Sequence, residues 1–439
     1  MFTIHAAAEQ IRQGKLSPVE LLDMCLERID RYEEKVRAWV FVDRPGAKEM
    51  AEKAHQEIRA GNWRGPLHGI PIGIKDIFDV FDWPTAAGSK LWAQSIARQD
   101  ATVVKRLRQA GTVFIGKTVT TAYASFDPPV TRNPWDLTRT PGGSSSGSAA
   151  ALACGMCLGA LGSQTGGSIT RPASYCGVAG CKASFGIVTC DGVVPLAPSM
   201  DHPGPMARCV RDLAIILEVI AGPDSFHTVP DYDQLLDNPQ PPRLGRIRGL
   251  FHERADASVR AMMDRVSEAL AKHGAPVMDV ALPASFGEVI ARHRTIMAVE
   301  AAEFHRERLR RHPEDYPPKI RGLLEEGLAC PAPDYAECQE FQRQLRHDIW
   351  DRFKGNVVAL LCSATTSSAP AADTTGDPAF NSPWSLTGLP VVSFPAGKSA
   401  EGLPLSIQLV GDAYSEAELL RAAAWCEAKV GMDLGDPPQ

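Results

Sequence analysis

The sequence reads as an α/β protein built on a mostly buried central sheet. Segments with helical periodicity alternate with short β-prone runs along the whole chain, which is the pattern of helices layered on a sheet. Hydrophobic residues make up 44% of the 439 residues and charged residues 22%, enough apolar side chain for a large core. No internal repeat is present, so a solenoid or propeller is excluded.

The elements follow in order. Residues 3–35 are expected to be helical. Ser17-Pro18-Val19-Glu20 forms a helix start with Ser17 as cap, Pro18 in the first turn and Glu20 closing a capping box. Ala47 to Ala60 is a second amphipathic helix, stopped by Gly61. The apolar run Ile70–Ile74 is a strand that ends at Lys75. Thr102–Ala110 is a helix, and Val113–Gly116 a strand after the Gly111 stop. Asp127–Pro141 carries four prolines and is a long loop. The run Ala149–Leu161 reads as a buried helix of small residues. Short strands follow residue 185, and then a helix over Asp212–Ile220. Section 223–376, with proline-rich connections between charged helices such as Ala301–Arg311 and Tyr335–Phe353, reads as a mainly helical periphery. Asn356–Cys362, Val391–Phe394 and Ser406–Val410 are strands, and a last helix starts at Ser415.

Composition excludes several functions. A net charge of −6 and a pI near 6.0 supply no field that would gather nucleic acid. No apolar run reaches the roughly 18 residues of a membrane span, and the N-terminus lacks an export signal. Eleven cysteines without regular pairing suit free thiols in the cytoplasm. Cys154 and Cys157 have C-x-x-C spacing but no second ligand pair, so core packing is expected in place of a metal. Cys176, Cys181 and Cys190 are read as small buried hydrophobes.

Chemistry concentrates between Thr140 and Phe185, where Gly142-Gly143-Ser144 and Gly166-Gly167-Ser168 form two similar corners. Three rival readings of the first corner fare less well. A flexible linker would not lead straight into an Ala-rich helix. A phosphate cradle would need Lys-Ser or Lys-Thr after its last glycine, where Ser148-Ala149 stands. A nucleophile elbow on Ser145 would need a late histidine, yet the last one is His347. What remains is a serine hydrolase whose base is not histidine. Lys75, neutral when desolvated, accepts the proton; Ser144 relays it; Ser168 attacks. The backbone N–H groups of Thr165, Gly166, Gly167 and Ser168 then surround the oxyanion. Taken alone, Lys75 is more simply read as a lysine snorkelling from a strand end.

GIPIGIKD around Lys75, PGGSSSGSAAALA, GSQTGGSITRPASYCGVAGCKASFG, SMDHPGPMAR and NSPWSLTGLPVVSFPAG together resemble the amidase signature family of Ser-cisSer-Lys hydrolases. The likeness covers residues 3–222 and 377–428. It implies one large domain over residues 1–439 with a mixed central sheet flanked by helices, and hydrolysis of a C–N bond through an acyl-enzyme. Position by position it implies Lys75 as base, Ser144 as the serine after a cis peptide, Ser168 as nucleophile and Thr165–Ser168 as oxyanion hole. No cofactor is called for. The expected partner is a small amide, with neither nucleic acid nor membrane, and a homodimer is compatible with the reading. The form Gln164-Thr165-Gly166-Gly167-Ser168 followed by Arg171-Pro172 resembles members of the malonamate type, so Arg171 is a candidate for a substrate carboxylate. Its alternative is an internal pair with Asp201 or Asp76. Gln164, Ser145 and Trp135 complete the candidate substrate contacts, with Phe126 and Tyr123 as further pocket walls. Ser146 is expected to cap the next helix, and His202 to be structural. An ammonia-supplying subunit of a transamidation complex and an inactive binding protein are the alternative functions.

Overall fold

The computed structural model describes residues 2–222, 230–237, 239–353 and 357–438. Residues 223–229 of the section expected to be peripheral, and Asn356 at the start of an expected strand, lie outside these residues, as do Met1 and Gln439.

The strands are β1 (Trp39–Val42), β2 (Pro71–Lys75), β3 (Val113–Thr118), β4 (Gly159–Gln164), β5 (Ala179–Lys182), β6 (His202–Ala207), β7 (Leu244–Ile247), β8 (Val277–Val280), β9 (Ala359–Ser363), β10 (Val391–Lys398) and β11 (Pro404–Gly411). They form one sheet in the order β1-β3-β2-β4-β6-β5-β10-β11-β9-β7-β8. β3, β2 and β4 are parallel neighbours, as are β9, β7 and β8, while every other pairing is antiparallel. The sheet is therefore mixed, as the resemblance implies. Strands β2 to β6 are buried at every position, because helices cover both faces.

The helices are α1 (Ile4–Arg12), α2 (Pro18–Val36), α3 (Arg44–Arg59), α4 (Thr102–Gln109), α5 (Ser146–Ala153), α6 (Thr170–Cys176) and α7 (Val210–Ala221). After them come α8 (Leu250–Glu253), α9 (Ala257–Lys272), α10 (Val289–Arg311), α11 (Pro318–Ala329), α12 (Ala332–Trp350), α13 (Ser382–Thr387) and α14 (Glu416–Val430). The expected helical stretch 3–35 is split where Gly14 takes φ +70°. The capping box stands: Ser17 Oγ accepts from Glu20 N at 3.1 Å, and Glu20 Oε2 accepts from Ser17 N at 2.8 Å.

Two expectations change. The run Ala149–Leu161 is not one helix: α5 ends at Ala153, Gly155 turns with φ +70°, and the chain continues as β4. A left-handed glycine terminates a helix whatever the apolarity beyond it. Section 223–376 is also more than a helical periphery, since β7, β8 and β9 lengthen the central sheet. β9 overlaps the strand expected over Asn356–Cys362, whereas β7 and β8 are short and β7 carries Arg246, paired with Asp264 at 2.7 Å, so neither length nor apolarity marks those two in sequence.

The site depends on how closely α5 meets β1 and β3. A Cβ at Gly147 would lie 2.2 Å from Ala38 O and 2.3 Å from Val119 N, and Gly147 N donates to Val119 O at 3.0 Å. Gly147→Ala is expected to destabilise the fold by about 2–3 kcal/mol through overpacking, read as a lowered denaturant midpoint. Gly287→Ala is the control: nothing lies within 4 Å of its added Cβ, and the midpoint should hold.

Candidate active site

Lys75 ends β2, and its side chain is 0% exposed. It does not snorkel. Its Nζ donates to Ser144 Oγ at 2.8 Å and to Ser163 Oγ at 2.7 Å. Burial without a paired carboxylate lowers its pKa to about 7, and the more distant charge of Asp201 opposes that shift only in part. A second buried lysine, Lys117 on β3, is by contrast paired: it donates to Asp76 Oδ1 at 3.1 Å and to Phe78 O at 2.8 Å. Asp76 is thereby occupied beside Lys75 in sequence, and the two lysines differ in kind.

The peptide bond between Gly143 and Ser144 is cis. Ser144 O accepts from Thr121 N at 3.3 Å. The Gly143 carbonyl accepts from Arg171 Nη2 at 2.7 Å. Ser145 N donates to Ser168 O at 3.3 Å, which ties the first glycine corner to the second.

Between β4 and α6 the chain makes the second corner, and its carbonyls are all engaged. Thr165 O accepts from His293 Nε2 at 2.9 Å, and Gly166 O accepts from Ser385 Oγ at 2.9 Å. Gly167 O accepts from Arg171 N at 3.0 Å. In a planar trans peptide the carbonyl and the following N–H point in opposite directions. Holding these three carbonyls outward therefore directs the N–H groups of Gly166, Gly167 and Ser168 to the other side, where no described residue accepts them. Three backbone donors are thereby left without a described acceptor. Ser168 is 7% exposed beside them.

Other expected residues take supporting places. Gln164 does not face a substrate: its Oε1 accepts from Ile169 N and Thr170 N, both at 3.0 Å, and its Nε2 donates to Ser385 at 3.3 Å. Ser145 Oγ is buried between Ser163 N, 3.2 Å, and Ser163 O, 3.3 Å, joining α5 to β4. Ser146 makes no cap; as the first residue of α5 its hydroxyl donates to Val119 O. Trp135 lies elsewhere, its Nε1 donating to Cys176 O at 2.8 Å and its ring lining a cavity of about 340 Å³ with Arg208, Cys209 and Glu427. Phe126 packs on the main core, and Tyr123 stacks on Tyr316 while donating to Asp315. Arg171 is 1% exposed and pairs with neither Asp201 nor Asp76. Both its terminal nitrogens donate to the chain, Nη1 to Gly376 O at 3.1 Å and Nη2 to Gly143 O and Thr375 Oγ1. The planar fork is thus not free for bidentate pairing. His202 is structural, with Nδ1 2.6 Å from Met200 O. Asp201 accepts from Thr165 Oγ1 and from Leu196 N at 2.9 Å. Cys154, Cys157, Cys176 and Cys181 are buried, but Cys190 is exposed, its Sγ 3.5 Å from Asp201 O. Among the described residues, His5, Cys209 and Asp212 could converge on a metal, yet Asp212 already accepts from Ile4 N and His5 N on α1.

Sequence reasoning missed Ser163, His293 and Ser385. Ser163 reaches Lys75 only because β2 and β4 pair in parallel, Ile74 opposite Leu161. His293 and Ser385 come from α10 and α13, far along the chain, and no local spacing signals them.

The fold brings a buried lysine and two Gly-Gly-Ser corners together at the ends of β2 and β4. The family model for amidases matches residues 20–420. The chain belongs to the amidase signature family of hydrolases. It is 36% identical to the protein AmiD of Mycobacterium bovis over 98% of this chain and 94% of that one. It is 35% identical to a glutamyl-tRNA(Gln) amidotransferase subunit of Roseiflexus castenholzii over 95% of this chain and 94% of that one. Among solved structures, the peptide amidase of Stenotrophomonas maltophilia superposes with a TM-score of 0.87 at 28% identity, covering 100% of this chain and 98% of that one. No helix among the described residues is long and apolar enough to cross a membrane.

Lys75 leaves a signature in stability. Its folded-state pKa, about 7, lies below the unfolded value near 10.5. The unfolded chain therefore holds the proton more tightly, and the penalty is complete below pH 7 and fades as pH rises to 10.5. Lys75→Met is expected to stabilise the fold by about 1–2 kcal/mol at pH 7, with the gain shrinking toward pH 10 in denaturant titrations.

Proposed function

We propose that the protein hydrolyses the C–N bond of a small amide through an acyl-enzyme on Ser168. The observation that carries this reading is the amine of Lys75, buried, bonded to the hydroxyls of Ser144 and Ser163, and with its pKa near neutrality. Neutral Lys75 takes the proton of Ser144 as Ser144 takes that of Ser168. Ser168 Oγ bonds to the amide carbon, and the oxyanion meets the N–H groups of Gly166, Gly167 and Ser168, with Thr165 opening the loop. Lys75 then returns the proton through Ser144 to the departing nitrogen, and the C–N bond breaks. Water repeats the sequence on the ester, releasing the acid and restoring Ser168. Every proton is accounted for by these three side chains.

The malonamate-type substrate rested on a free Arg171, and its engaged fork favours a different role. Its bond to Gly143 O holds the peptide unit of Ser144. Arg171→Ala is then expected to lower kcat about 10–100-fold on acidic and neutral amides alike. A KM rise confined to acidic amides would restore the carboxylate reading. A second reading is favoured by the 35% identity to an amidotransferase subunit: glutamine would be the amide, and ammonia would pass to a partner chain.

Ammonia release over a panel of acidic, neutral, aryl and peptide amides with glutamine included separates the readings. A fluorophosphonate should label wild-type protein on Ser168, located by mass spectrometry, and leave Ser168→Ala unlabelled; absence of label would indicate an inactive binding protein. Because the base is the neutral amine, kcat/KM should rise tenfold per pH unit below the Lys75 pKa of about 7 and level above it. Lys75→Ala should remove activity throughout.

A further inference from the structure

Helix α10 lies in the section read from sequence as peripheral, yet it reaches the centre of the site. His293 is 3% exposed, and its Nε2 lies 2.9 Å from Thr165 O. Burial lowers its pKa to about 4, so the ring is neutral near pH 7 and the proton sits on the nitrogen that faces the carbonyl. The ring also borders the glycine corner: a Cβ on Gly166 would lie 3.6 Å from His293 Cε1. Two more bonds hold α10 to this region, and a third ties the same carboxylate to α12. Glu300 Oε2 accepts from Ser199 N at 2.9 Å and its Oε1 from Ser199 Oγ at 2.5 Å, in the segment just before Asp201. Tyr335 on α12 donates to the same carboxylate at 3.0 Å. Asp201 in turn accepts from the Thr165 hydroxyl. Thr165 is thus held at its carbonyl by α10 and at its side chain by a loop that α10 also holds.

We propose that His293 is a positioning residue of the oxyanion hole: by holding the Thr165 carbonyl outward it aims the Gly166 N–H at the developing oxyanion. The planar peptide transmits the bond, since the carbonyl of Thr165 and the N–H of Gly166 belong to one rigid unit. Ser385 does the same for the next unit, holding Gly166 O and aiming Gly167 N–H. The inference rests on Ser168 being the nucleophile. It assigns α10 a role in the chemical step that does not require contact with substrate.

The test uses the full chain and a fluorophosphonate probe. Ser168 Oγ forms a bond to phosphorus as the P–F bond breaks, fluoride leaves, and the hydroxyl proton passes through Ser144 to Lys75. The phosphoryl oxygen occupies the oxyanion position, so the labelling rate reports the alignment of the N–H donors. His293→Ala is expected to lower the labelling rate constant about 10–100-fold. His293→Gln presents a side-chain N–H to the same carbonyl, and should recover the rate to within about fivefold of wild type. That recovery separates aiming from mere packing. Ser385→Ala, acting through Gly167 N–H, should slow labelling by the same order, and decides the matter if His293→Ala does not accumulate folded. Wild-type labelling rates in folded His293→Ala, or in Ser385→Ala where that variant stands in, would overturn the proposal. So would a folded His293→Gln as slow as the alanine variant. Absence of Ser168 labelling in the wild type would instead overturn the amidase reading on which the proposal rests.

Discussion

An amine without a counter-ion, sealed inside the sheet, is the feature around which this protein is arranged. Lys75 is fully buried, and its bonded partners are two serine hydroxyls. An ammonium in such a place would be poorly solvated, so the fold favours the neutral base. Keeping it there requires that β2 be covered on both faces and that the neighbouring charges be neutralised elsewhere. Lys117 pairs with Asp76, while Asp201 accepts from Thr165, Leu196 and Ala197. Asp76, the carboxylate next to Lys75 in the chain, is thereby taken up by Lys117.

The second requirement is directional. In the proposed oxyanion hole, a row of N–H donors exposes backbone dipoles that would otherwise find acceptors within the protein. The fold prevents this by engaging the opposite ends of the same peptides, with His293 from α10, Ser385 from α13 and the first turn of α6. These elements meet at the corner because the sheet extends through β10 and β11 to β9, β7 and β8. The helices between those strands are therefore brought back over the centre. The section that looks least informative in sequence supplies one of the bonds that orient the loop.

Much of the site was legible in the primary structure because its signals are local and chemically unusual. Lysine after Ile70–Ile74 ends a strand that has no solvent face, and serine after a glycine pair stands at a corner where backbone N–H groups can converge. The proton relay proposed for them was suggested by the lack of a histidine late in the chain. Residues named only for their nearness in sequence fared worse. Gln164, Ser145 and Arg171 lie beside the corner and serve its geometry, while Trp135 lines a separate cavity. Nearness along the chain says little about which way a side chain points.

Local patterns suffice for the α/β class, the helix starts and stops, the two corners and the lysine, since these depend on periodicity, capping and glycine. Packing in three dimensions was needed to show that Ser163 shares the lysine, that Arg171 holds a carbonyl of its own chain, and that the apolar run after Ser148 breaks into helix and strand. Packing also brought β7 and β8 into the sheet and His293 to Thr165. Strand register and long-range contacts make those choices, and both join residues far apart in the chain, which no local pattern encodes. The chain's short motifs supply the reagents of the site, and the assembled sheet with its covering helices supplies their aim.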